Sequence, residues 1–137
     1  MKVFTVPIKP TGKARARVTR WGVYTPEKTA AAENSIKVCA RAAGVELIEG
    51  PVELNVFCYF APPKSWSKKK RKEILVDGGV RCQTNKPDSD NVLKLVSDAL
   101  NGIAYEDDRQ VSSASVVKAY GSEDKIIIQV RSVLSQL

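Results

Sequence analysis

Residues 86–111, reading KPDSDNVLKLVSDALNGIAYEDDRQV, limit what this chain can fold into more than any other stretch. Val92, Leu93, Leu95, Val96, Ala99 and Leu100 recur at the helical period and form one apolar face. Asn101-Gly102 ends that helix. A helix with a single apolar face must bury it against another layer. Acidic residues bracket it: Asp88 and Asp90 before, Asp107 and Asp108 after. These 26 residues hold six of the 15 acids and three of the 22 Lys and Arg, a net charge of −3. The other 111 residues carry 19 basic and nine acidic side chains, a net charge of +10.

The remaining segments supply the other layer. Phe4, Val6 and Ile8 alternate with Val3 and Thr5, which predicts an opening strand. Val52, Leu54, Val56, Cys58 and Phe60 alternate with Glu53, Asn55, Phe57 and Tyr59, a second strand ended by Pro62-Pro63. Residues 110–120 and 125–131 read as two strands joined by a turn at Gly121, with Ile126, Ile128 and Val130 toward the core. Thr25-Pro26-Glu27 starts a helix, with Thr25 as N-cap and Pro26 in the first helical position, running to Ala43 and stopped by Gly44. Ser67 caps a short basic helix over 68–75, and Asp77-Gly78-Gly79 is a loop. The order is strand, helix, strand, helix, helix, strand, strand. That order predicts an α+β domain with a mixed sheet packed against helices, one domain over 1–137.

Composition excludes several chemistries. The chain has no histidine, which removes Ser-His-Asp and Cys-His catalysis and every histidine-dependent metal site. Cys39, Cys58 and Cys82 are an odd number without C-x-x-C spacing, so neither a disulfide framework nor a thiolate zinc site is indicated. No apolar run reaches the roughly 20 residues needed to span a bilayer. The reading is a cytoplasmic protein. A net charge of +7 points to a polyanionic partner.

The acids form a constellation. If 88–90 is extended, Asp88 and Asp90 face the same way, and both stay ionised only with a cation between them. Asp90 or Ser89 also fits the N-cap of the following helix. Asn91, Lys94 and Asp98 share a polar stripe on that helix. Lys94 can touch a phosphate, stabilise a phosphoryl transition state, or pair with Asp98. The loop 102–108 can return Asp107 or Asp108 toward the helix start, and three carboxylates suit an octahedral magnesium site. Capping and turn chemistry is the alternative explanation of these acids.

Basic residues cluster twice. Lys13, Arg15, Arg17 and Arg20 lie in a loop with Trp21 and Tyr24, a mixture that can grip phosphates and stack on unpaired bases. Lys68, Lys69, Lys70, Arg71 and Lys72 follow Trp66 and can also bind phosphate.

The pattern KPDSDN..K...DALNG....DD.QV resembles the RusA family of Holliday-junction resolvases. The stretches GKARARVTR to YTPEKT and PPKSWSKKKR are similar to the family as well. The resemblance implies a RusA-like homodimer that binds four-way junction DNA and cuts two opposing strands symmetrically with Mg²⁺, Mn²⁺ being a substitute. It places the metal ligands on Asp88, Asp90 and Asp108, with Asp108 preferred to Asp107 by its distance from Gln110, and the essential lysine on Lys94. Asn91 matches the motif, and Lys86-Pro87 stands where the family pattern has an arginine before the first acid. Lys86 and Asn91 join the DNA-binding set. Competing readings are a nuclease of the same fold acting on flaps or forks, and a noncatalytic DNA-binding protein.

Overall fold

The computed structural model describes residues 1–14, 17–24, 26–76 and 82–133, with the side chains of 17, 24 and 76 excepted. In chain order the elements are β1 (Lys2–Val6), β2 (Arg17–Thr19), β3 (Gly22–Tyr24), α1 (Glu27–Ala42), β4 (Val52–Phe60), α2 (Lys68–Val76), α3 (Ser89–Ala99), a 3-10 turn (Asp108–Gln110), β5 (Val111–Tyr120) and β6 (Lys125–Ser132). Four strands form one mixed sheet in the order β1-β6-β4-β5.

The alternation in β4 appears as expected. Val52, Leu54, Val56, Cys58 and Phe60 are buried, and the residues between them are half-buried. Opposite them, register aligns Leu54 with Val130, Val56 with Ile128 and Cys58 with Ile126. Phe4 and Val6 extend the same apolar rows across β1. One face of the sheet is therefore a continuous apolar surface. α1 covers it with Ala32, Ile36 and Ala40, and α3 with Val92, Leu95, Val96 and Ala99. Leu95, Ile36 and Leu54 are fully buried, each stabilising by about 1.5–3 kcal/mol relative to exposure.

α1 ends as its sequence predicts. Gly44 takes φ +76°, and the amides of Gly44 and Val45 donate to Arg41 O at 3.0 Å and Ala40 O at 3.1 Å. This is the paired Schellman arrangement, which a left-handed glycine permits. Its start falls one residue later than expected: Pro26 is extended at the N-cap and Glu27 is the first helical residue. Thr25, the expected cap, lies outside the described residues, as does the loop 77–79. Ser67 does cap α2, its Oγ accepting from Lys70 N at 3.1 Å.

Two expectations are corrected. Ile8 lies beyond β1, which ends at Val6. The basic loop 13–20 contains β2, which pairs with β3 in a hairpin. Three-residue strands are too short to show a period, and the turn depends on Thr19, whose hydroxyl bonds Trp21 N and Gly22 O. β5 and β6 are joined through Gly121 as expected, and β4 lies between them, parallel to β5 and antiparallel to β6. The turn crosses the end of β4, held by Gly121 N to Phe60 O at 3.0 Å and Ala61 N to Asp124 Oδ1 at 2.8 Å. β6 alternates cleanly and takes a central place. β5 carries exposed Ser112, Ser113, Ala114 and Ser115 and takes the edge. No described helix is long and apolar enough to cross a membrane.

Candidate active site

The amino-terminal end of α3 is fixed from three sides. Lys118 on β5 donates from Nζ to Asn85 O at 2.8 Å and Pro87 O at 2.9 Å. This holds the 85–88 segment to the sheet through a cis Lys86–Pro87 peptide. The segment before β2 lies across the first turn of α3, where Lys13 N donates to Asn91 O at 3.0 Å. Gly12 lets it approach, since a β-carbon there would lie 2.9 Å from Asn91 Cβ. Ala14 N donates to Thr29 Oγ1 at 3.2 Å and ties the same segment to α1.

These contacts enclose a groove of about 380 Å³ lined by Lys9, Lys13, Lys28, Lys86, Asp88 and Asn91, with Pro10, Thr11, Gly12 and Pro87 between them. With the Lys13 ammonium engaged by Glu33 and Asp98, three lysines, Lys9, Lys28 and Lys86, and one carboxylate, Asp88, give the lining a net positive charge that favours an anion. Lys9 and Lys28 were not singled out in the sequence. Nothing in their local pattern marks them, because the fold brings them together from β1's exit and α1's start.

The N-cap of α3 falls one residue before Ser89 and two before Asp90, the two expected caps. Asp88 occupies the N-cap position in extended conformation, and its side chain makes no capping bond. Asp90 sits in the first helical turn, so the extended same-face pairing of Asp88 with Asp90 does not occur. Both are exposed, as are Asn91 and Lys94. Lys94 does not pair with Asp98. That carboxylate is taken by Lys13, whose Nζ lies 2.7 Å from Asp98 Oδ2 and 2.8 Å from Glu33 Oε1. Lys13, expected on DNA, is thus engaged inside the protein. Burial opposes its charge, but hydrogen bonds to Asp98 and Glu33 hold the ammonium above its ordinary pKa.

The two acids after α3 have separate tasks. Asp107 caps the 3-10 turn, accepting from Arg109 N at 2.9 Å, a bond that lowers its pKa. Gln110 completes the cap by accepting from Glu106 N and Asp107 N. Its Nε2 donates to Ile48 O at 2.8 Å and Gly50 O at 3.0 Å, anchoring the turn to the loop before β4. Asp108 lies on this anchored turn, and the Asp98 carboxylate, with burial and neighbouring Asp107, holds its pKa above the ordinary carboxylate value. Tyr105 supports the same corner, its hydroxyl donating to Ser97 O at 2.6 Å.

Among the described residues no three carboxylates or thiolates stand close enough together to enclose an ion. The donor chemistry still suits a hard cation. Every candidate donor is a carboxylate oxygen, and Asp88 spends none of its own on a capping bond.

The other basic features divide. Arg15 lies outside the described residues, and of Arg17 only the backbone in β2 is described. Arg20 stacks over Trp21 with its guanidinium 4.9 Å from the ring centre, and Trp21 is 85% exposed at the hairpin turn. It is not a core residue. On α2, Lys68, Lys69 and Lys70 are exposed, and Lys70 lies 4.1 Å over the Trp66 ring. Lys68, Arg71 and Lys72 line a second groove of about 420 Å³.

Residues 7–131 match the family described as Endodeoxyribonuclease RusA. The chain is also 41% identical over 87 residues to the uncharacterized protein YqaN of Bacillus subtilis (strain 168). That similarity covers 64% of this chain and 61% of the relative, so the match spans about three fifths of that protein's length.

Proposed function

This chain belongs to the RusA endodeoxyribonuclease family, and from that premise we propose that it is a structure-selective endodeoxyribonuclease that resolves four-way DNA junctions. The observation that carries this reading is the cationic groove opening onto Asp88 at the start of α3. Lys9, Lys28 and Lys86 supply charge for a DNA strand, and Asp88 and Asp90 lie where that strand would pass. Asn91 lines the same groove and offers its amide to a phosphate.

Mg²⁺, with Mn²⁺ as substitute, would be held by Asp88, Asp90 and Asp108 together with phosphate oxygens, supplying Lewis acidity at the scissile phosphodiester. Lys94, exposed one turn beyond Asp90 and without an ion-pair partner among the described residues, stabilises the charge that develops on phosphorus oxygens. The basic face of α2 binds a neighbouring stretch of backbone. Trp21, on a hairpin inserted between groove-lining residues 9–13 and 28, stacks on bases unpaired at the branch point.

The acting species is a homodimer, with one site for each of two opposing strands. The exposed edge of β5 supports assembly. Residues 111–117 read VSSASVV, with neither a charge nor a proline to block pairing.

Cleavage of a labelled four-way junction in Mg²⁺, beside a matched linear duplex, tests the reading. Paired symmetric nicks by wild type, none by Asp90→Asn, and retained junction binding by both are the expected results. Equal cutting of flaps or forks would change the substrate. Binding without cleavage by either protein would reduce the acids to capping and turn chemistry.

A further inference from the structure

We propose that Lys118 is a positioning residue for Asp88, its ammonium holding the main-chain carbonyls that lead into the start of α3. The inference rests on the nuclease reading and extends it to a residue of β5 that lies outside the acidic motif.

The sheet decides where this lysine stands. β5 runs parallel to β4 with Leu54 against Ala114, Val56 against Val116 and Cys58 against Lys118. Leu54, Val56 and Cys58 are buried, so Lys118 takes the third place in a row on the core side of the sheet. Val116 in that row packs against the core. An apolar residue would fill such a place without a charge to satisfy. The Lys118 ammonium instead donates to Asn85 O at 2.8 Å and Pro87 O at 2.9 Å. Its main chain grips the same segment further back, Lys118 O accepting from Gln83 N at 2.9 Å. Gln83 is buried, and its Nε2 donates to Lys86 O at 3.4 Å. The successive carbonyls of Asn85, Lys86 and Pro87 are thus each taken by a donor anchored on β5.

These bonds hold the peptide that enters Asp88. Pro87 O lies in the same planar unit as the Asp88 nitrogen and α-carbon, so fixing it fixes the root of the Asp88 side chain. That side chain is exposed and makes no capping bond, so its direction depends on its backbone. A cation at the amino-terminal end of a helix opposes the helix dipole, so Lys118 is not placed there to stabilise α3 by its charge. An ammonium bonded to two carbonyls has little freedom left to follow a phosphate. Supporting groups of this kind orient metal-binding carboxylates and contribute to affinity without touching the metal.

The test uses Lys118→Met, Lys118→Arg, Asp88→Asn and the double variant Lys118→Met with Asp88→Asn, all in the full chain. The readings are melting temperature, amide hydrogen exchange over 85–91, Mn²⁺ affinity by calorimetry on the protein alone, junction affinity as a function of salt, and kcat against KM for junction cleavage. Lys118→Met should speed exchange over 85–91 and leave β4 protected. It should weaken Mn²⁺ binding and lower kcat by about tenfold to 100-fold, the range for lost supporting partners. Junction affinity and its salt slope should stay within about twofold of wild type, because no phosphate contact is lost. Lys118→Arg should recover much of the loss. In the Asp88→Asn background Lys118→Met should cost Mn²⁺ affinity less than about twofold more, because residues acting through one another are not additive.

Lower junction affinity with a shallower salt slope and unchanged kcat would make Lys118 a phosphate contact and overturn the proposal. A lowered melting temperature with Mn²⁺ affinity and kcat intact would also overturn it, leaving hydrogen bonds that only stabilise the fold. Full additivity with Asp88→Asn would show that Lys118 acts elsewhere, with the same consequence. If Lys118→Met does not fold, Lys118→Arg and Lys118→Gln decide by the same readings. If wild type cuts no junction, the nuclease reading fails, and exchange over 85–91 with Mn²⁺ affinity across the variants still decides the role of Lys118.

Discussion

Gly12 lies against Asn91 so closely that a β-carbon on Gly12 would come within 2.9 Å of Asn91 Cβ. The neighbouring atom is the root of a side chain on the first turn of α3, not a flexible end. Gly12→Ala should therefore force the 9–14 segment away from α3, lengthening the Lys13 N to Asn91 O bond. The expected cost is about 1–3 kcal/mol, the range for overpacking. Denaturant unfolding measures it, and an unchanged midpoint would show that the segment yields freely. Cleavage should also fall, because Lys9 of the groove and the Lys13 contact with Asp98 ride on this segment.

What was legible in the sequence was periodic. The apolar face of α3, the alternation of β4 and β6, the Ser67 cap and the Gly44 stop each depend on residues a few positions apart. The placement of β5 was not legible, because pairing partners are chosen across the chain. Its exposed run, Ser112 to Ser115, is a trace of edge position that the turn at Gly121 conceals. The acidic motif was visible as a motif, but its local geometry was not. Asp88 takes the cap, and Asp90 enters the helix. Lys9, Lys28 and Glu33 gave no signal at all. Their roles arise where β1's exit, α1 and α3 meet, and no local spacing encodes that meeting.

Lys94 tests whether chemistry occurs at this end of α3. Its ammonium has no carboxylate to hold among the described residues, since Lys13 occupies Asp98. Lys94→Met should leave the fold intact and lower kcat by about 10²–10³-fold, the loss seen when one transition-state donor is removed. Junction affinity should change little. A loss confined to affinity would place Lys94 on the DNA backbone away from the scissile bond. Chelation of divalent ions should abolish cleavage by wild type while binding persists.

Trp21 presents 85% of its surface to solvent, which is unusual for the largest side chain in a protein. Val18 and Val23, paired across the hairpin, are 80% and 67% exposed. If this tip stacks on unpaired bases, Trp21→Ala should weaken junction binding by about 1–3 kcal/mol. Binding to intact linear duplex should change little, since its bases are already stacked. Equal loss on both substrates would assign the tip to general backbone contact. No loss on either would remove it from the DNA interface.

Cys58 gives a prediction independent of function. It is 1% exposed on β4, and burial pushes its thiol up to about 11, with Lys118 pulling weakly the other way. The unfolded thiol ionises near 9.0, so between these values the native state holds a proton that the unfolded state has lost. The resulting stabilisation is fully present below pH 9 and disappears as pH rises toward 11. Over that interval wild type should lose about 2 kcal/mol more than Cys58→Ala, measured as the change in unfolding free energy with pH. The comparison uses slopes, because the alanine variant starts lower through its cavity. Thiol reagents at neutral pH should label exposed Cys82 in the native protein and reach Cys58 only on unfolding. Rapid labelling of Cys58 in the folded state, or equal slopes for the two proteins, would contradict its placement under α1 and α3.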